Sequence, residues 1–73
     1  MTLLRRGRIT AYAIDSSHVM YVRFRYGWFR SVIIFTTNES LQQMVIQLRK
    51  LPEHMIFIRY HELTREIIDI LQP

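Results

Sequence analysis

From Arg8 onward the chain alternates apolar and polar positions with a period of two. Ile9, Ala11 and Ala13 carry the first run, Met20, Val22 and Phe24 the second, and Trp28 to Phe35 form a third strand-like run. A period of two is that of a strand with one covered face. Asp15-Ser16-Ser17-His18 and Tyr26-Gly27 supply the turn residues between the runs, so three antiparallel strands in a meander are predicted. With a two-residue turn at each place, one face collects Ile9, Ala11, Ala13, Met20, Val22, Phe24, Phe29, Ser31, Ile33 and Phe35 as a core. The other collects Arg8, Thr10, Tyr12, Ile14, Val19, Tyr21, Arg23, Arg25, Trp28, Arg30, Val32 and Ile34, basic and aromatic near the second turn and apolar at the far end.

The period then changes. Leu41, Met44, Val45, Leu48 and Leu51 form one apolar stripe at helical spacing. Thr36 and Glu39 stand at capping-box spacing, with Asn38 as an alternative N-cap, and Pro52 is the stop signal. His54–Arg59 reads as a short strand, apolar on both sides through Met55, Ile56, Phe57 and Ile58, the pattern of a covered parallel strand. Leu63, Ile67, Ile70 and Leu71 predict a second helix over 61–71, with Glu62/Arg65 and Arg65/Asp69 pairs on its solvent side.

The expected fold class is therefore α+β with an α/β-like order, β-β-β-α-β-α. A mixed four-stranded sheet follows, in order 3-2-1-4, with strand four parallel to strand one and the first helix on the core face. Residues 8–73 form one domain and residues 1–7 a basic arm. This layout resembles the opening half of the RNase H-like fold, including a Thr-Thr-Asn lead-in to the first helix at Thr36-Thr37-Asn38. That resemblance implies metal-binding carboxylates on strand one, the first helix and the end of strand four. Asp15 matches the first position, but Gln42 and Tyr60-His61 stand where the other acids belong, so two-metal chemistry is not expected.

Composition narrows the function classes. Seventy-three residues lie near the lower limit for a core without staples, which makes self-association an option. With no cysteine, disulfides, thiolate zinc sites and thiol catalysis are all excluded. The longest apolar runs, Val32–Phe35 and Met55–Ile58, are too short for a signal peptide or a membrane span, so a soluble, cytoplasmic protein without membrane contact is expected. Asp15, Ser17 and His18 share one turn and cannot form a nucleophile-base-orienter triad. His18, His54 and His61 lack metal-pair spacing, and Gly7 and Gly27 make no phosphate loop. No metal or cofactor is expected, and a binding protein is favoured over an enzyme.

Charge placement indicates the partner. Arg5, Arg6, Arg8, Arg23, Arg25 and Arg30 face a single acid, Asp15, in the first 36 residues, while the remainder is slightly acidic. Arginine suits bidentate phosphate contacts and stacking on flat rings. Arg8, Tyr12, Tyr21, Arg23, Arg25, Trp28 and Arg30 are thus the candidate binding residues, for single-stranded RNA or DNA or for an acidic protein surface. Ile14, Val19, Val32 and Ile34 are the candidate oligomer interface of a possible homodimer or a small regulator or inhibitor of another protein.

Overall fold

The computed structural model describes residues 1–51 and 54–72. It consists of β1 (Thr2–Ile14), β2 (Met20–Tyr26), β3 (Arg30–Thr36), α1 (Glu39–Arg49), β4 (Ile56–His61) and β5 (Ile67–Leu71). The five strands form one antiparallel sheet in the order β3-β2-β1-β4-β5. Its two edges touch: Phe35 and Glu66 form an isolated parallel bridge, and the Phe35 N–H donates to the Arg65 carbonyl at 3.0 Å. The sheet therefore curls around a core of Ile9, Met20, Val22, Phe24, Ile34, Ile56, Ile58, Tyr60, Ile67 and Ile70, which Val45 and Leu48 of α1 complete.

The curl depends on β1, which divides its pairing between two partners. Gly7–Ile14 pair with β2, Thr2–Gly7 pair with β4, and Gly7 belongs to both ladders. A side chain at Gly7 would overlap the Arg25 carbonyl oxygen and press on the Phe24 ring, so glycine is needed for the backbones to approach this closely. The expected basic arm is accordingly the first half of β1. Strand four is antiparallel to β1, not parallel, and pairs along the Thr2–Gly7 half-strand that was expected to be an unpaired arm. With no β-α-β crossover among the described residues, the layout departs from the RNase H-like arrangement.

The α1 stripe buries Val45 and Leu48 and partly covers Leu41 and Met44, with Ile46 packed beside it, whereas Leu51, expected in the stripe, lies beyond the helix and is exposed. Asn38 is the N-cap: its Oδ1 accepts the Leu41 N–H at 3.0 Å, while the Thr36 hydroxyl accepts the Asn38 N–H at 3.1 Å. The expected stop at Pro52 lies outside the described residues. Where a second helix was expected, the chain makes one helical turn, the Arg65 N–H donating to the His61 carbonyl at 2.9 Å. Arg65 then takes φ +73, which ends any helix, and Ile67, Ile68 and Ile70 continue as β5. Three β-branched residues in five favour the extended state. Asp69 pairs across the strands with Arg59 at 3.4 Å, not along a helix with Arg65; both side chains are about 40% exposed, so the pair contributes under about 1 kcal/mol.

Both hairpin registers differ from the two-residue-turn expectation. The first loop has three residues, Ser16-Ser17-His18, with His18 at φ +63, and the offset is absorbed by a bulge between Ile9 and Ala11. Ile9 stays opposite Phe24, but beyond the bulge Ala11 and Ala13 move to the outer face and Tyr12 and Ile14 to the side of Val22 and Met20. The second loop is Gly27-Trp28-Phe29, so Tyr26 pairs with Arg30. That odd shift turns β3 over: Val32, Ile34 and Thr36 point inward, and Ser31, Ile33 and Phe35 outward.

Gly7→Ala is expected to destabilise the protein by about 2 kcal/mol, lowering Tm by roughly 10 °C for a domain of this size. Thermal unfolding followed by circular dichroism measures it, and an unchanged Tm would show that β1 and β2 do not meet as described.

Candidate functional site

The outer face of β1, β2 and β3 is built in three cross-strand rows. Arg8, Arg25 and Ser31 form the first, Ala11, Arg23 and Ile33 the second, and Ala13, Tyr21 and Phe35 the third. The basic rows lie toward the β2–β3 loop and the apolar row toward the β1–β2 loop. Tyr21 and Phe35 meet with ring centroids 6.4 Å apart. The helix is on the opposite side of the sheet, so this surface stays open.

The bulge organises the basic end. Thr10 is the extra residue, and its hydroxyl donates to the Arg23 carbonyl at 3.2 Å while accepting from Arg23 Nε at 2.9 Å. Both ends of Arg23 are thus tied to one hydroxyl, which orients the guanidinium and leaves its two terminal amino groups for another acceptor. Arg25 reaches over the Phe29 ring, 5.9 Å from its centroid. Neither arginine has a carboxylate partner among the described residues. Arg8 stands directly opposite Arg25, and like charges at paired positions of a sheet repel.

The β2–β3 loop carries Trp28 and Phe29, 86% and 83% exposed, with ring centroids 6.1 Å apart. Phe29, expected in the core, instead sits in a left-handed backbone conformation at φ +58. The only signal in the sequence was its place beside Gly27 and Trp28, where a longer loop displaces it from the strand.

The other candidates are scattered. Tyr12 pairs with Val22 on the inner side but also lines a surface depression with Tyr21 and Arg23, whereas Arg30 lies opposite Tyr26, on the inner side. Ile34 is completely buried and Val32 packs against the core, while Ile14 is half-exposed at the end of β1 and Val19 flanks the first loop, its carbonyl accepting the Asp15 N–H at 3.0 Å. These four do not form one outward patch. Tyr21, Ile33 and Ala13 are exposed apolar residues of the outer face, and Leu4 is half-exposed on the same side in the first half of β1.

Arg5 is separate from this face. It lies 4.4 Å over the Tyr26 ring and donates from Nε to the Tyr60 hydroxyl at 3.1 Å. That hydrogen bond raises its pKa above the usual arginine value against the opposing effect of burial, and it satisfies the buried phenol.

Asp15 and Gln42 are engaged in structural hydrogen bonds. Asp15 Oδ1 accepts the Ser17 and Val19 N–H groups at 2.8 and 3.1 Å, holding its own turn. Gln42 donates from Nε2 to the His18 and Thr36 carbonyls at 2.8 and 3.2 Å, joining α1 to the β1–β2 loop and the end of β3. Tyr60 is buried. Among the described residues no three His, Asp or Glu side chains converge as metal ligands, and no helix is long and apolar enough to cross a membrane. Comparison with protein-family models, curated proteins and solved structures gives no match to this chain.

Two substitutions check these placements. Ile34→Ala is expected to cost about 3 kcal/mol as a core cavity, and Trp28→Ala to change stability by no more than about 0.5 kcal/mol. Urea titration measures both; equal effects would show that the faces of β3 are wrongly assigned.

Proposed function

We propose that the outer face of β1–β3 binds nucleic acid. The observation that carries this reading is the pair Arg23 and Arg25 on an open sheet, neither neutralised by a carboxylate among the described residues, beside exposed aromatic rings. Phosphates supply the counter-charge and bases supply flat faces for the rings. The connectivity lends support. Five strands in the order β3-β2-β1-β4-β5, a β3–β5 contact and a helix between β3 and β4 resemble the oligonucleotide/oligosaccharide-binding barrels, which take extended polymers across their second and third strands. A fold hosts many functions, so the arginines and aromatics carry the argument, not the topology.

A second reading is a protein partner, including a second copy of the chain. It is favoured by the more apolar end of the same face, where Ala11, Tyr12, Ala13, Tyr21 and Ile33 border a shallow depression with Arg23 at its margin. Arginine and tyrosine are also common at the centres of protein interfaces.

Salt dependence separates the two. For a single-stranded oligonucleotide, log K is expected to fall linearly with log salt, and Arg23→Ala and Arg25→Ala are each expected to reduce the slope by about 0.7. Fluorescence anisotropy of a labelled oligonucleotide measures it. Absence of binding at low salt overturns the proposal, and a concentration-dependent oligomer disrupted by Ile33→Glu would favour the second reading.

A further inference from the structure

Phe29 is in an unfavourable position by two measures. A bulky residue at φ +58 is strained, and at 83% exposure its ring gains little from burial. Strain of this kind persists where surrounding structure enforces it and commonly marks a functional position. Here the conformation brings the ring to the wall of a groove of about 330 Å³ lined by Thr10, Arg23, Arg25, Phe29 and Ser31.

The other walls of the groove are chemically matched. Arg23 is held by Thr10 from the bulge, Arg25 leans over Phe29, and Ser31, opposite Arg25, adds a hydroxyl. Two guanidinium groups and a hydroxyl suit a phosphate. The aromatic wall suits a flat heterocycle, with Trp28 packed against its neighbour Phe29. Anion and ring together are the parts of one nucleotide.

We propose that this groove is a single-nucleotide subsite: the phosphate lies between Arg23 and Arg25 and an unstacked base rests on Phe29. The inference rests on the nucleic-acid reading of the face and names its substrate as single-stranded nucleic acid. A base inside a duplex is stacked on both sides and has no free face to offer Phe29. Thr10 is a positioning residue, acting through the orientation it gives Arg23.

The test uses the full chain with a labelled oligothymidine and a duplex of equal length, with Tm recorded for every variant. Phe29→Gly is expected to weaken single-strand binding about tenfold, the scale of one base-aromatic stack, and to leave duplex binding unchanged. Its Tm stays constant or rises, because glycine adopts φ +58 without strain. Thr10→Val is expected to weaken single-strand binding severalfold while the salt slope is retained, since no charge is removed. A Phe29→Gly variant with lower Tm and undiminished affinity would assign Phe29 a structural role and overturn the proposal. If Phe29→Gly and Thr10→Val bind as the parent does while Arg23→Ala weakens binding, the subsite is wrong and the face reading stands. If the double variant Arg23→Ala/Arg25→Ala also binds as the parent does, both fail.

Discussion

The close approach of β1 and β2 at Gly7 is the contact on which the rest of the structure depends. Because Gly7 has no side chain, the Arg25 carbonyl can reach the β1 backbone and one strand can pass from β2 on one side to β4 on the other. Without that crossing, β4 and β5 have no edge to join. The core then loses Ile56, Ile58, Tyr60, Ile67 and Ile70, a large share of the apolar surface available to so small a domain. The curled sheet also gives α1 a place to pack, and leaves the outer face of β1–β3 without a helical cover.

Turn length and bulge act together on that face. A three-residue first loop alone would put the whole of β1 out of register with β2. The bulge confines the offset to the part of β1 beyond Ile9, so Ile9 remains in the core and Thr10 is turned toward Arg23. A feature that preserves burial thus also orients the arginine. At the other hairpin the extra loop residue exchanges the two sides of β3, placing Ile34 inside and Ile33 outside.

The strands that could be read from the sequence were those with true alternation. Met20, Val22 and Phe24 fix β2, and the 3.6-residue stripe with Asn38 before it fixes α1. The neighbours of β1 also follow from the order of elements. β3 resisted reading because Val32-Ile33-Ile34-Phe35 is apolar at every position, so either face fits and only the loop decides. Leu3-Leu4-Arg5-Arg6 shows no period of two, which hid the first half of β1, and with it the edge that β4 joins. The 61–71 segment fits both periods; what decided it was pairing with β4, a long-range contact that no local pattern records. Within the candidate face, Arg8, Tyr21, Arg23 and Arg25 were legible as β2 and its partner positions. Phe29 was not, since its exposure depends on one loop residue.

Among the described residues the sheet meets itself at one isolated bridge, between Phe35 and Glu66, where the Phe35 N–H donates to the Arg65 carbonyl. Every other strand boundary is a ladder of several pairs, so the molecule is closer to a sheet with a clasp than to a continuous ring. Cooperative units in a protein open with free energies from near zero to the global value, and thinly bonded segments lie at the low end. By pairing alone the clasp is the weakest boundary of the sheet, although Ile34 and Ile67 beside it are buried in the core. Parting β3 from β5 is therefore expected to cost less than parting β2 from β1, and it would leave the arginine-bearing strands paired.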